Sequence, residues 1–261
     1  MQNTQPVQPT QATQPPGRLQ LEHNHRWNVT TREARAIQLE LAARVSLHKP
    51  AGFLPRLAAG VDVGFENGGA VTRAAVVVLD IETLLPVDCA IARRPTQFPY
   101  VPGLLSFREI PAVLEALAQL EQYPDVLLCD GQGIAHPRRL GIAAHLGVLT
   151  GLPSAGIAKS LLIGSHDPVP EIAGQWTPLR DGDEVIGAVL RSRAGCKPLI
   201  VSAGHRLDLD TAIALTRRCV TRYRLPETTR WADGIASRKL PVMKRLPDAL
   251  RQRLAPAPAP A

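Results

Sequence analysis

The sequence contains no long apolar run. It has 261 residues, of which 45% are hydrophobic types, but no stretch approaches the roughly 20 apolar residues that a membrane-spanning helix needs. The first residues also lack the charged and then apolar segments of a secretory signal. We therefore expect a cytoplasmic protein that makes no use of a membrane.

Cysteine is scarce, and its spacing gives no sign of metal binding. The four cysteines occupy positions 89, 129, 196 and 219 without a CxxC pair, and no Cys or His ligands recur at the spacing of zinc motifs. Two of them fall inside apparent strands, which is typical of reduced thiols in a cytoplasmic protein. The pattern excludes a disulfide framework and argues against a zinc site.

Acidic residues are outnumbered. Thirty Lys and Arg face 23 Asp and Glu, which gives a net charge of +7 and a pI near 9.7. The Gln/Thr/Pro run of residues 1–17 and the final Ala-Pro repeat carry no charge, so the excess belongs to the folded part. Such an excess favours a polyanionic partner such as nucleic acid.

The chain is predicted to form one domain. Residues 26–245 have a uniform texture and are long enough to bury a large core. We expect residues 1–25 and 246–261 to be disordered tails, because the first is rich in Gln, Thr and Pro and the second ends in Ala-Pro repeats. We expect a monomer.

Hydrophobic patterns predict a mixed α/β sheet. An amphipathic helix over residues 30–48, with Thr31 as N-cap, is followed by a three-stranded antiparallel meander and a helix that begins near Leu104 with Pro111 early in it. A strand at 126–129, a basic helix from about 137 to 149 and a strand at 154–157 come next. The predicted strands of the meander and of the last part are 57–65, 71–80, 86–92, 184–191 and 198–203, with a helix at 208–222. This order favours a ribonuclease H-like mixed sheet with helices on both faces.

The stretch PDVLLCDGQGIAHPRRLG places Asp130 at the end of a short apolar strand, directly before a glycine turn. Open α/β sheets bind ligands at this edge. A second short strand ends at Lys159, so a carboxylate and a cation are expected at neighbouring strand ends. His136, Arg138 and Arg139 add positive or polar groups that suit a phosphate ester.

Three further acidic residues have both a functional and a plain structural explanation. Asp62 interrupts the apolar strand 57–65, where an unpaired carboxylate is costly, but it could be a hydrogen-bonded core residue. Glu109 lies at the start of a helix, where the helix dipole alone favours it. Asp233 could be an ordinary turn residue before Gly234.

Taken together, these carboxylates predict a metal site. A central strand, a neighbouring strand and two helices can bring Asp62, Glu109, Asp130 and Asp233 to one end of the sheet. Clustered carboxylates repel one another, so they point to a hard cation, Mg²⁺ or its substitute Mn²⁺. Lys159 could stabilise charge on a scissile phosphate, or it could be a solvated lysine at a strand end.

The chain resembles endonuclease V, the deoxyinosine-directed repair nuclease, over nearly all of residues 30–240. The resemblance depends on the segments GVDVGF, RRPTQFPYVPGLLSFRE, DGQGIAHPRRLGIAAHLGV, PSAGIAKSLL, VSAGHRLDLDTA and PETTRWADGIAS. It implies that Asp62 and Asp130 are the principal metal ligands, with Glu109 and Asp233 as further members. It also implies that Lys159 is the catalytic lysine and that His136 lies beside the metal or the scissile phosphate.

The same resemblance implies how DNA is bound. Pro99, Tyr100, Val101 and Pro102 would form a strand-separating wedge, in which Tyr100 fills the gap left by the rotated base. The alternative is that Tyr100 packs against its own domain. The residues that would line the hypoxanthine pocket are Gly103, Leu105, Gly131 and Ala158.

The implied activity is a Mg²⁺-dependent endonuclease that recognises deoxyinosine in DNA. It would hydrolyse the second phosphodiester bond 3′ to the lesion and leave 3′-hydroxyl and 5′-phosphate ends. Inosine-containing RNA is an alternative substrate, because discrimination depends on individual 2′-hydroxyl contacts. An actin-like sugar kinase, suggested by DVG at 62–64 before a hairpin, and a non-catalytic nucleic-acid-binding module are the other hypotheses.

Overall fold

An eight-stranded mixed sheet organises the protein, whose computed structural model describes residues 19–254. The strands follow the order β3-β2-β1-β4-β5-β8-β7-β6 across the sheet. Strand β4 runs parallel to β1 and β5, and the other neighbours are antiparallel. The strands are β1 Leu57–Glu66, β2 Val71–Asp80, β3 Pro86–Pro95, β4 Val126–Cys129, β5 Ser154–Ala158, β6 Trp176–Asp181, β7 Glu184–Leu190 and β8 Leu199–Ala203.

Helices cover both faces of this sheet. They are α1 Thr31–Ala42, α2 Leu105–Leu117, α3 Ile142–Thr150, α4 Leu209–Cys219, α5 Glu227–Ala236, α6 Leu240–Met243 and α7 Asp248–Arg253. On one face of the sheet, helices α2 and α3 share a hydrophobic core with Val61 of β1 and Val76 of β2. Helix α5 packs Trp231 and Ile235 against Val77 on the opposite face. The ribonuclease H-like mixed sheet with helices on both faces is therefore confirmed.

Several local predictions about the helices were wrong. The N-cap of α1 is Thr30 instead of Thr31, and it forms a capping box with Glu33. The helix ends at Ala42, before the predicted end at residue 48. Pro111 lies in the middle of α2. Residues 137–141 are not helical, because Arg139 has a φ of 54° that no α-helix accepts.

Strand β6 was not predicted, because Pro178 and its polar neighbours obscure the pattern of an edge strand.

The predicted tail boundaries do not coincide with the limits of packing. The amide of Glu22 donates to the carbonyl of Leu149 at 2.8 Å, so residues 19–25 lie against α3. At the other end, Leu246 and Leu250 are buried beside α5. The remainder of both predicted tails, 1–18 and 255–261, lies outside the described residues. None of the helices in the described part of the chain is both long and apolar enough to cross a bilayer.

One glycine determines how closely α5 approaches the sheet. A Cβ atom on Gly60 of β1 would lie 2.1 Å from the carbonyl oxygen of Thr228 in α5. Only glycine permits this contact between backbones. The close approach brings α5, which carries Asp233, over the strand that carries Asp62.

Candidate active site

The ends of β4 and β5 bring a carboxylate and a lysine together. Asp130 follows β4, and its amide donates to the carbonyl of Val61 at 3.0 Å, which ties it to β1 next to Asp62. Lys159 follows β5, and its Nζ donates to Asp130 Oδ2 at 2.5 Å. The expected neighbouring positions of carboxylate and cation are therefore present in the structure.

Asp62, Glu109 and Asp130 influence one another electrostatically. Burial, followed by the negative charge of Asp130, raises the pKa of Asp62 to about 7. Burial and the charges of Asp62 and Asp130 raise the pKa of Glu109 to about 8. Burial also raises the pKa of Asp130, although the hydrogen bond from Lys159 opposes it. Three acidic side chains, from strand β1, helix α2 and the residue that follows β4, thus share a poorly hydrated site with Lys159.

Lys159 stays charged in this setting. Burial opposes its charge, but the hydrogen bond and the charge of Asp130 outweigh burial and raise the pKa of Lys159. The backbone around it is fixed by Arg224, whose guanidinium donates to the carbonyls of Lys159 and Pro198 at 2.9 and 2.8 Å. The ammonium is thus held beside Asp130.

A cavity of about 420 Å³ opens next to these groups. Its wall includes Glu109, Asp130 and Lys159 of the charged cluster. It also includes all of the predicted base-pocket residues and part of the predicted wedge: Gly103, Leu105, Gly131, Ala158, Tyr100 and Pro102. Gly131, with a φ of +148°, would place a Cβ atom 2.6 Å from the Ile142 side chain, so glycine is needed at this wall.

His136 lines the same cavity with both ring nitrogens engaged by backbone. Nε2 lies 3.0 Å from the carbonyl oxygen of Gly103, and Nδ1 accepts from the amide of Arg138 at 3.2 Å. Because Nδ1 is an acceptor, Nε2 carries the proton and donates it to Gly103. Burial and the charge of Arg138 lower the pKa of His136 to about 4. The ring is therefore neutral and supports the cavity wall.

The carbonyl of Gly103 receives three donors. Besides His136, Gln38 Nε2 donates to it at 3.0 Å and Arg138 Nη2 at 2.7 Å. Gly103 itself has a φ of +75°, a left-handed conformation that favours glycine. These donors come from α1 and from the loop before α3, so they hold the 99–103 loop against the rest of the domain.

Tyr100 is presented outward by this loop. Its side chain is 70% exposed, whereas Phe98 is buried and Val101 packs with the cluster of Leu104 and Phe107. Pro99 and Pro102 flank the sequence Tyr-Val and restrict its backbone. The loop is thus anchored on each side of an exposed aromatic ring, and the alternative of a tyrosine packed on its own domain does not apply.

Asp62 and Asp233 are not part of the cavity wall. Asp233 pairs with Lys239 and lines a separate groove with Tyr223 and Arg230. Its charge nevertheless contributes to the raised pKa values of Asp62 and Asp130. The structure therefore brings Asp62, Glu109 and Asp130 together and keeps Asp233 at the margin.

Sequence reasoning missed residues that shape this site. Leu161 and Leu162 line the cavity and are about half exposed. The available signal was a pair of adjacent leucines that begins two residues after Lys159. Ser106, at the cavity wall, lies 3.0 Å from Nδ1 of the fully buried His145. His145 Nε2 in turn lies 2.8 Å from Nε2 of His25. No local pattern marks this connection, because His25 and His145 are 120 positions apart.

The donor set fits a hard cation that keeps much of its water. The available ligands are carboxylate oxygens whose charges are poorly neutralised, as the raised pKa values of Asp62 and Glu109 show. Within residues 19–254, no group of three or more acidic, His or Cys side chains is close enough to hold a metal ion. Mg²⁺ does not need one, because it binds one or two carboxylates and completes its shell with water and substrate phosphates.

Comparisons with known proteins agree with this geometry. The sequence model for Endonuclease V matches residues 39–234. An endonuclease V from Roseiflexus castenholzii is 58% identical over 214 residues, which cover 82% of this chain and 95% of that protein. The crystal structure of endonuclease V from Streptomyces avermitilis is similar with a TM-score of 0.77 and 49% identity, over 82% of this chain and 95% of that one.

A third relative has been crystallised with nucleic acid. Ciona intestinalis endonuclease V, in complex with a 24-mer DNA containing an inosine followed by a ribo-adenosine, is 29% identical with a TM-score of 0.70. The match covers 80% of this chain and 97% of that one. These matches span the strands and helices that carry the cavity and its carboxylates, and they replace the sugar-kinase hypothesis. The chain belongs to the endonuclease V family of DNA repair endonucleases.

Proposed function

We propose that this protein is a Mg²⁺-dependent endonuclease that recognises deoxyinosine in DNA. It hydrolyses the second phosphodiester bond 3′ to the lesion and leaves 3′-hydroxyl and 5′-phosphate ends. The observation that carries the proposal is the shared wall: Glu109, Asp130 and Lys159 border the same cavity as Gly103 and Gly131, and this cavity has room for a purine base. A purine base can lie beside Gly103 and Gly131 while the sugar-phosphate backbone next to it lies beside Glu109, Asp130 and Lys159.

Base recognition follows from the chemistry of the cavity. Its walls combine apolar side chains with backbone groups at Gly103 and Gly131, which can stack on a purine and bond to its edge. Hypoxanthine presents an acceptor where adenine presents an amine, so a backbone donor at that position binds the first and rejects the second. Inosine is also mispaired, which lowers the cost of extruding it.

The wedge separates the strands while the base is extruded. Tyr100 is exposed on an anchored loop, so little conformational entropy is lost when its ring enters the base stack. The ring can occupy the space that the rotated base vacates. Because Gly103 follows three residues later, the wedge and the base cavity are parts of one loop.

The charged groups act on the phosphodiester. Asp62 and Asp130 would hold Mg²⁺, with Glu109 beside them, and the bound ion would supply an activated water and stabilise the developing charge. Lys159 places an ammonium next to Asp130, where it can stabilise the negative charge that develops on the scissile phosphate. His136 remains neutral and positions the Gly103 carbonyl.

The test is a nicking assay on a labelled duplex with one central inosine. Wild type with Mg²⁺ is expected to cut the inosine strand once, at the second bond 3′ to the lesion. It should not cut a duplex that has adenosine at that position. In EDTA it should not cut the inosine duplex either. Asp130→Ala is expected to lower the cleavage rate at least 100-fold, because a ligand and the partner of Lys159 are lost together.

Asp125→Ala is a matched control, since Asp125 caps the start of β1 by accepting from the amides of Arg56 and Leu57, remote from the cavity. It should retain activity at a temperature where it is folded. Cutting by Asp130→Ala at the wild-type rate would reject the metal assignment. Equal cutting of inosine and adenosine duplexes would reject the base assignment. Matched inosine substrates in DNA and RNA determine which backbone the site prefers.

A further inference from the structure

A cluster of arginines lies on the sheet face that α5 covers, beyond the proposed metal ligands. Arg73 of β2, Arg93 of β3 and Arg238 after α5 surround Glu66 at the end of β1. All three guanidinium groups approach the same oxygen, Glu66 Oε1, at 3.2, 3.4 and 3.0 Å respectively. We call these three arginines and Glu66 the hairpin cluster. Three positive charges and one negative charge give it a net charge of +2.

The positive charge of the hairpin cluster is incompletely compensated. The Arg73 side chain is only 5% exposed. Among the residues that the structure describes, its Nε and Nη1 have no hydrogen-bond partner, although Nη1 is close to Glu66. Burial and the charges of Arg238 and Arg93 lower the pKa of Arg73. A buried guanidinium without full hydrogen bonding is costly, so the site favours an additional anion.

The outer arginines are accessible to such an anion. The side chains of Arg93 and Arg238 are 45% and 63% exposed, and they flank the buried Arg73. Guanidinium groups bind phosphate oxygens with two parallel hydrogen bonds, which makes phosphate a better match than a single point charge. Arg93 and Arg238 can therefore hold a phosphate above Arg73.

The position of the cluster relates this phosphate to the scissile bond. Asp62 and Glu66 are four residues apart on β1, so they point to the same face and lie about 13 Å apart. Successive phosphates of one DNA strand advance by about 3.4 Å along the helix axis. The separation corresponds to a few nucleotides of the same bound duplex.

We propose that Arg93 and Arg238, supported by Arg73, bind a backbone phosphate of the DNA a few nucleotides from the cleavage site. This inference rests on the proposed function in taking DNA as the ligand. The contact is independent of base sequence, because it reaches only the phosphate. Glu66 competes with that phosphate for the same guanidinium groups and so limits the affinity.

The test compares neighbouring arginines of one strand. Arg93 points to the hairpin cluster, whereas Arg94 pairs with Glu115 of α2, and their side chains are 45% and 44% exposed. DNA binding is measured by fluorescence anisotropy in EDTA over a series of salt concentrations, with inosine-containing and inosine-free duplexes. Arg93→Gln and Arg238→Gln are each expected to weaken binding roughly five- to tenfold near 0.1 M salt and to reduce the salt slope by about 0.9. Arg94→Gln should match wild type.

A substitution of opposite sign makes the test decisive. Glu66→Gln removes the competing carboxylate, so DNA binding is expected to strengthen and the salt slope to steepen. If the hairpin cluster had only a structural role, Glu66→Gln would lower the stability of the protein and would not increase its affinity for DNA. Equal slopes for Arg93→Gln and Arg94→Gln, or weaker binding by Glu66→Gln at a temperature where it is folded, would overturn the inference. Because binding to inosine-free duplexes is also measured, the test of this phosphate contact does not depend on whether the enzyme cleaves at inosine.

Discussion

His136 gives a prediction about how stability depends on pH. Its ring is 4% exposed, donates to the Gly103 carbonyl and accepts from the Arg138 amide. A second proton would have to enter at Nδ1, which already accepts a hydrogen bond and faces the positive charge of Arg138. The folded protein therefore resists protonation of this ring, and acid should favour the unfolded chain.

The size of the effect follows from the two pKa values of His136, about 4 in the folded protein against an ordinary value of 6.5. Because the folded-state value is the lower one, the unfolded chain binds the proton first as the pH falls. The contribution of His136 to stability is complete above about pH 6.5 and is lost as the pH falls towards 4. At about 1.4 kcal/mol per unit, the loss approaches about 3 kcal/mol at pH 4.

The measurement is urea unfolding of wild type and His136→Gln at pH 7, 6, 5 and 4, each in EDTA. At pH 7 the variant is expected to be less stable, by about 1–3 kcal/mol, because two buried hydrogen bonds are disturbed. The difference should shrink or reverse by pH 4. Carboxylates that titrate in the same range cancel in the comparison, since both proteins contain them.

His48→Gln removes an exposed histidine and is the control; its pH profile should run parallel to that of wild type. A stability difference between wild type and His136→Gln that stays constant from pH 7 to 4 would refute the assignment of a neutral, hydrogen-bonded ring.

Three further results are expected. Tyr100→Ala should change the free energy of unfolding by less than about 0.5 kcal/mol, because the ring is exposed, yet slow the nicking of inosine duplexes at least tenfold; an unchanged rate would contradict the wedge. Gly60→Ala should destabilise the protein by about 3 kcal/mol or more in thermal unfolding, since its Cβ would meet the Thr228 carbonyl, and wild-type stability would show that α5 does not lie so close to β1. Mg²⁺ at 100 times its Kd should stabilise EDTA-treated wild type by about 2.7 kcal/mol and Asp130→Asn by much less; an equal gain in both would place the ion elsewhere.

The parts of the fold predicted well are those that depend on local patterns. Strand β2 was predicted with its observed bounds, because a continuous apolar run between turn signals is characteristic of a strand buried on both faces. Asp62 and Asp130 were selected as candidate site residues because carboxylates in or beside apolar strands need a physical reason to be there, and the structure places Asp62 in β1 and Asp130 directly after the neighbouring strand β4. Gly68 supports the hairpin with a left-handed φ of 64°. In each case the signal lies within about ten residues.

The parts that could not be predicted depend on partners far apart in the chain. Gln38 occupies a buried position of α1 where hydrophobic periodicity predicts an apolar residue. Its side chain is there because it donates a hydrogen bond to the Gly103 carbonyl, 65 positions later. The start of α3 was misplaced because Arg139 leaves helical geometry and pairs with Asp181, the last residue of β6, and Glu184, the first residue of β7. Tertiary contacts decide these features.

The Gly103 carbonyl also links the proposed base pocket to the proposed wedge. Gln38, His136 and Arg138 all donate to this oxygen, so the loop that carries Tyr100 is fixed at its C-terminal side by the same residue that lines the cavity. A base that enters the cavity contacts the wall at Gly103, only three residues from the ring that would replace it in the stack. Any shift of this wall therefore moves the wedge. In the proposed mechanism, base binding and strand separation would therefore be coupled through this short stretch of backbone, without a separate moving part.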